Sequence, residues 1–153
     1  MAAYDPEAAL AALTSFLKGR GRIKHVQLGE PKAPPTGEIT AALMMESIRT
    51  VELVLDAADR VYEVTIRLYR GFLEEDGEQT ELELAQVVGA LMNDLDGDAD
   101  LGQSVRAVDV GGIYSGGLAA GWAYLEMGDG TMYRTVDVTV PLIVDGDPGS
   151  LQH

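Results

Sequence analysis

One stretch of the sequence, Asn93–Gly102, contains residue types that could bind a metal ion. It reads NDLDGDADLG, with alternating aspartates and a glycine among them. An EF-hand calcium loop needs oxygen ligands at its first, third and fifth positions, glycine at the sixth and glutamate at the twelfth. A loop starting at Asp94 has Ala99 and Val105 at those last two positions, and a start two residues later fails at the same places. We therefore interpret the stretch as a helix end and turn, with a weakly bound cation as the alternative.

A second group of residues could support hydrolysis, which needs a nucleophile, a base and a group that orients the base. Ser115 lies in GGIYSGG, which resembles the G-x-S-x-G nucleophile elbow, but Ile113 stands where that motif needs glycine. The same glycine run lacks the Gly-Lys-Ser/Thr ending of a phosphate-binding loop. The two histidines are His25, in a short predicted strand, and His153 at the end of the sequence. This set of residues predicts no catalytic site.

Carboxylates are abundant, with 25 aspartates and glutamates in all, so their number alone selects no pair. Two carboxylates can act as general acid and general base when the fold holds them close together. Glu52 and Glu63, across a predicted hairpin, are one such pair and remain the enzyme alternative. We otherwise predict that the protein is not an enzyme and uses no cofactor and no metal.

The composition is that of a folded protein with a real core. The chain has 153 residues, of which 46% are hydrophobic, and this length suits a single domain over residues 1–153. We expect residues 145–153 to form a flexible tail. Cysteine is absent, which excludes disulfides and thiolate metal sites. No apolar run approaches the length of a membrane helix, and the first residues lack a signal peptide's basic region. We therefore expect folding in a cytoplasm.

The net charge is −14 and is unevenly distributed. Residues 1–35 hold five bases and three acids, whereas the remainder holds six bases and 22 acids, a net charge of −16. Such an acidic body disfavours binding to a phosphate backbone. The five bases could meet an acidic neighbour, or they could be scattered bases on a solvated turn. They are Lys18, Arg20, Arg22, Lys24 and Lys32.

Two helices are predicted. Asp5 followed by proline is a helix start, and apolar residues at helical spacing extend the first helix over 6–18. The second helix is predicted over 81–95 from its long apolar stripe. A T-x-x-E capping box that begins at Thr80 would start it, and Gly97 would end it in a left-handed conformation.

The remaining segments predict strands. Their ranges are 23–28, 38–46, 48–55, 60–70, 103–110, 121–127 and 131–144, with a turn over 56–59 and an Asp-Gly hairpin turn at 129–130. Pro141 places the end of the last strand at a sheet edge or bulge. Residues 30–37 are predicted to be an extended loop, and residues 111–121 a loop or a strongly bent strand; in an assembly of several copies, both could become ordered only on contact. The element order predicts an α+β fold: a mostly antiparallel sheet with two helices packed on one face.

The succession of these elements carries a resemblance to a known family. A capped first helix and a proline-containing loop are followed by a long hairpin ending in VYEVTIRLYRG. Then come an amphipathic helix, the link DADLGQSV and a closing hairpin ending in MYRTVDVTVPLIV. Over residues 5 to 145 this order resembles the tail terminator, or tail-to-head joining, proteins of long-tailed bacteriophages.

The resemblance implies a ring, usually of six copies, that stops tail-tube polymerisation and joins the tail to the head connector. The implied partners are further copies of the chain, the major tail protein and the head connector. DNA would pass through the ring without specific binding, at the head–tail junction of a virion assembled in the host cytoplasm. The five bases would then be candidates for the subunit interface. Alternatives are another connector or tail-tube layer, or a small acidic module that binds or inhibits a basic partner.

Overall fold

The protein combines two helices with six strands in a curled sheet, which confirms the predicted α+β class. The computed structural model describes residues 5–31, 38–54, 57–71, 77–97, 101, 105–128, 130 and 132–145, with the backbone alone for 52–54, 57 and 58. The elements are α1 (Pro6–Arg20), β1 (His25–Leu28), β2 (Thr40–Val54), β3 (Ala57–Gly71), α2 (Gly77–Gly97), β4 (Ala107–Val108), β5 (Ala119–Glu126) and β6 (Met132–Val144). The predicted tail beyond Asp145 lies outside the described residues.

The sheet has the strand order β1-β2-β3-β6, and both β4 and β5 pair with the far side of β6. Strand β5 pairs with the N-terminal half of β6, where Trp122 lies opposite Val136, and β4 pairs near its C-terminal end. All these pairs are antiparallel except β1 with β2. The sheet is therefore mostly antiparallel, as predicted.

Both helices cover one face of this sheet. Leu13 and Leu17 of α1 belong to the same buried cluster as four residues of α2 and alternate residues of the three long strands. The strand contribution from β3 is Tyr62, Val64, Ile66 and Leu68, which is the alternation that the sequence predicts. Burying each large apolar side chain contributes about 1.5–3 kcal/mol relative to leaving it exposed. This shared core positions the two ends of the sheet relative to one another.

Strand β2 corrects the prediction of two separate strands over 38–46 and 48–55. The chain runs as one strand with a register shift between Met45 and Ser47. Glu46 is the additional residue and is exposed. A bulge of this kind changes which alternate residues face the core, so the apolar pattern breaks while the strand continues. The predicted turn over 56–59 is also too long, because β3 already begins at Ala57.

Helix α1 begins as predicted and ends two residues later. The Asp5 side chain accepts a hydrogen bond from the backbone N–H of Ala8 at 3.1 Å. At the other end, Gly21 has φ 69 and donates its N–H to the carbonyl of Lys18. The helix continues beyond Gly19 to Arg20, because the residue whose left-handed backbone conformation ends it is Gly21.

Helix α2 begins earlier than predicted, and the expected capping box is wrong. The helix starts at Gly77, so Thr80 lies inside it and is fully buried. A residue inside the helix cannot serve as its N-cap. The expected left-handed cap at Gly97 is also wrong, because Gly97 is the last helical residue and the positive φ, 50°, occurs at Leu101.

The predicted strand over 103–110 is wrong in extent, because only Ala107 and Val108 form β4. Residues 102–104 lie outside the described part of the chain. Pro141 lies within β6 opposite Glu63 of β3, and on its other side it falls between the stretches of β6 that pair with β5 and with β4. Its carbonyl accepts the N–H of Asp109 at 2.8 Å, so its nitrogen points to this same outer side, where no paired strand of the described residues requires an N–H.

Candidate functional site

The aspartate-rich stretch provides no metal site within the described residues. Asp98, Asp100 and Gly102 lie outside the described part of the chain, so the cation alternative there has no structural test. Elsewhere in the described residues, no three or more His, Asp or Glu side chains are grouped to hold a metal ion. Asp94, near the negative end of α2, accepts a hydrogen bond from Arg22 at 2.8 Å, which offsets the unfavourable helix dipole.

The candidate acid–base pair does not come together. The hairpin register places Glu52 opposite Asp59, whereas Glu63 lies opposite Ser47. The two glutamates are therefore about four residues apart along the ladder, or roughly 13 Å at the usual rise of a strand. Glu63 instead accepts a hydrogen bond from Arg49 at 2.9 Å.

The candidate nucleophile and the histidine also lie apart. Ser115 donates its hydroxyl hydrogen to Asp109 at 2.8 Å and accepts the N–H of Gly117 at 3.0 Å, so it is part of a loop's internal hydrogen bonding. His25 begins β1 at the opposite end of the strand order and lies 3.5 Å from Glu38. Within the described residues, Ser115, His25 and a carboxylate thus form no triad, and His153 lies outside them.

Three of the predicted interface bases already interact within the chain. The Arg20 guanidinium lies 4.5 Å above the ring of Phe16. Lys24 pairs with Glu38 at 3.2 Å, and Arg22 pairs with Asp94. The hydrogen bond from Arg22 lowers the pKa of Asp94 below its usual value. Lys18 is exposed in the last turn of α1, and Lys32 lies outside the described residues.

Asp109, which the sequence did not indicate as a candidate, holds a glycine-rich loop in place through hydrogen bonds. Its carboxylate is 2% exposed and accepts hydrogen bonds from the backbone N–H groups of Ile113 at 2.7 Å and Tyr114 at 2.9 Å, besides the Ser115 hydroxyl. Burial works to raise the pKa of Asp109, but the hydrogen bonds from Tyr114, Ser115 and Ile113 together lower it below its usual value. We call residues 109–118 the Asp109 loop.

Two glycines make the Asp109 loop compact. Gly112 has φ +80 and Gly117 has φ +85, in the region that side chains other than glycine rarely adopt. A Cβ on Gly117 would lie 2.9 Å from the carbonyl oxygen of Val110, and one on Gly112 would lie 3.0 Å from that of Ser115. These two glycines therefore set the path of the loop, and whether it becomes ordered before or on assembly stays a prediction.

The Asp109 loop and β5 form a continuous stretch of chain without charged residues, although charged side chains of neighbouring strands border it, namely Arg49, Arg134 and Asp137. Residues 110–125 contain no Asp, Glu, Lys, Arg or His, in a chain of which 24% is charged. Ile113, Trp122 and Tyr124 are 80%, 40% and 56% exposed. The outer edge of β5 has no partner strand among the described residues. We call residues 110–125 the charge-free surface. A count of charges along the sequence could have identified it.

One aromatic ring on this surface is held in place from below. The Arg134 guanidinium lies 4.2 Å from the ring centre of Tyr124 and pairs with Glu81 on α2. Trp122 lies two residues before Tyr124 and so projects to the same side of β5. Large aromatic side chains that are exposed yet fixed are the usual anchors of protein–protein contacts. The arrangement is suited to binding a protein surface.

Two comparisons with known proteins, by family and by sequence, give no function for this chain. No protein-family model matches the chain, and no curated protein matches it in sequence. Neither helix, over its described residues, is long and apolar enough to cross a membrane.

Proposed function

We propose that the chain is a structural protein of a bacteriophage virion, a tail terminator that forms a ring on the tail tube and joins it to the head connector. The element order that resembles this family supports the proposal. The observation that carries it is the charge-free surface, with three exposed large side chains on a chain of net charge −14.

The charge-free surface favours self-assembly. Two copies of a strongly acidic protein repel one another over most of their surfaces. Contact is least opposed where neither copy carries charge, and there the exposed Trp122 and Tyr124 can bury apolar area. A surface of this kind therefore suits association with another copy of the chain.

The positions of the open strands suit a ring. Strand β1 lies at one end of the strand order and β5 at the other, and each pairs on only one side within the described residues. Contact between different surfaces of successive copies is head-to-tail, and it closes into a ring when the rotation between copies allows. The acidic remainder of the chain would let DNA pass through such a ring without being held.

The test is the association state of the purified chain. Sedimentation velocity over a wide range of concentrations, with negative-stain images, should show rings of about six copies. Because anchor residues dominate association, Trp122→Ser with Tyr124→Ser should raise the concentration for half-assembly by about tenfold or more. Leu28→Ser is the matched control, since Leu28 is 57% exposed on β1, at the other end of the strand order from β5.

Three outcomes would contradict the proposal. A chain that stays monomeric at every concentration, both alone and with purified tail tubes, would exclude a ring on the tube. A monomer that binds basic proteins with strong salt dependence would instead indicate the acidic binding module. Rings that bind neither tube nor connector would indicate a different layer of the virion.

A further inference from the structure

We infer that Arg134 is a positioning residue for the charge-free surface: it fixes the ring of Tyr124 and couples that ring to helix α2. The inference rests on the proposed self-assembly and identifies a residue that acts on one of its anchors. Tyr124 is 56% exposed, yet its ring lies against the Arg134 guanidinium at 4.2 Å. Exposed side chains otherwise change rotamer within nanoseconds, so this contact is what limits the ring.

Three side chains line up across the sheet on its helix-covered face. Arg70 of β3 lies opposite Arg134 of β6, and Arg134 lies opposite Tyr124 of β5. Two residues further along these strands, Leu68 and Val136 belong to the core beneath the helices, so the row faces the same way. Directly opposite residues share one face of a sheet. The three side chains therefore stand side by side, with Arg134 in the middle.

Helix α2 supplies a carboxylate to each of the two guanidinium groups. Glu83 pairs with Arg70 at 3.3 Å. Glu81 accepts two hydrogen bonds from Arg134, the longer of them at 3.4 Å. Side chains two residues apart on a helix project to nearly opposite sides, so the two glutamates reach different strands. Arg134 is thus bound by α2 through its nitrogens and contacts Tyr124 through its flat face.

Arg134 is held more firmly than the ring that it contacts. Its side chain is only 15% exposed, and two of its nitrogens bond to the same carboxylate. A guanidinium bound in this way has a fixed plane, and an aromatic ring stacked on that plane loses alternative rotamers. Fixing a contact side chain before binding reduces the entropy cost of association. Arg134 therefore acts on assembly through Tyr124.

The first test is Arg134→Met, which removes the charge and both hydrogen bonds but keeps a long side chain. Glu81 is 45% exposed, so water can solvate it and the thermal midpoint should change little. The concentration for half-assembly should rise about three- to tenfold. Arg22→Met is the matched control, because it loses the same charge and also a bond to α2, but to Asp94 near the other end of the helix.

A double variant shows whether Arg134 acts through the ring. Once Tyr124→Ser has removed the ring, adding Arg134→Met should change the concentration for half-assembly by less than about twofold. Arg134→Lys, which keeps the charge but loses the paired hydrogen bonds, should fall between the wild type and Arg134→Met. If the shifts of Arg134→Met and Tyr124→Ser simply added, the effect would be a general structural one, and the inference would be wrong.

A measurement on the dilute monomer separates the inference from the proposed ring. NMR relaxation of the Tyr124 ring should show faster motion in Arg134→Met than in the wild type. Unchanged motion would overturn the inference whether or not rings form. If the wild type forms rings and Arg134→Met assembles equally well, Arg134 is not a positioning residue and the proposed ring stands. If the wild type stays monomeric at every concentration, both the inference and the proposed function fail.

Discussion

The basic residues between Lys18 and Lys24, which we call the basic stretch, differ from the charge-free surface around β5 in whether their side chains find partners within the chain. In the basic stretch, Arg22 and Lys24 pair with nearby carboxylates and Arg20 covers an aromatic ring. On the charge-free surface, Ile113 and Trp122 project into solvent. The charges that stand out in the sequence are largely satisfied locally, while the uncharged run leaves large apolar groups exposed.

This difference shows why the positive charges of the sequence point to a different candidate interface from the exposed apolar side chains of the structure. An exposed ion pair contributes little to stability, and its members have less to offer a partner. Exposed aromatic and aliphatic groups on a rigid backbone offer buried area without a desolvation penalty for charge. We therefore expect substitutions to have their largest effects in the Asp109 loop and their smallest in the basic stretch.

The largest effect should follow Asp109→Ala. The substitution leaves two partly buried backbone N–H groups and the Ser115 hydroxyl without their acceptor. The free energy of unfolding, measured by urea denaturation, should fall by about 3 kcal/mol. Asp96→Ala is the control, since Asp96 is exposed near the end of α2 and should change stability little. If both variants lost the same free energy of unfolding, the Asp109 carboxylate would contribute no more to stability than an exposed aspartate.

A smaller effect should follow Gly117→Ala. Its φ of +85 and the close carbonyl of Val110 both oppose a Cβ at this position. We expect a loss of about 1–3 kcal/mol in the free energy of unfolding, measured in the same way. Gly116 is the matched control because a Cβ there would meet nothing within 4 Å. If Gly117→Ala were as stable as Gly116→Ala, the loop would not be fixed by its backbone.

The smallest effect should follow Arg22→Gln. The ion pair with Asp94 is exposed, so its loss should leave the thermal midpoint within the error of the measurement at physiological salt. The concentration for half-assembly should also stay unchanged, because the guanidinium is not the proposed anchor. If Arg22→Gln clearly weakened assembly at unchanged thermal stability, the basic stretch and not the charge-free surface would be the main interface.

The elements that were predictable from the sequence are those whose signals are local. The Asp-Pro start of α1 and the alternation along β3 need only neighbouring residues, and the structure contains both. Asp129 of the predicted Asp-Gly turn lies outside the described residues, but β5 and β6 on either side of it do pair as antiparallel strands. The bulge in β2 was not predictable in this way, because it depends on the partner strand that accommodates the additional residue. The start of α2 at Gly77 follows Asp76 in the sequence, a residue type that favours N-caps, but the T-x-x-E pattern at Thr80 is a competing signal that the sequence alone does not rank below it.

The candidate site was less predictable than the fold. Asp109 reads as one residue of an alternating strand, and only the folded chain brings the N–H groups four and five residues later onto its carboxylate. Exposure is also a property of the fold: Trp122 and Val136 are both strand residues, yet the first is 40% exposed and the second is buried. The absence of charge over 110–125 was visible in the sequence, but its meaning depends on that exposure.

The position of β6 has a consequence for how the chain reaches its native state. Strand β6 pairs with β3, β4 and β5, and its partners in β3 are distant in sequence; Arg67, for example, lies opposite Asp137. The β2–β3 hairpin is local and can form first, whereas closing the long loop to β6 must follow and is slow. Until then the apolar edge of β3 is open to pairing with other chains. The time before β6 docks is therefore the interval in which this protein is most exposed to aggregation.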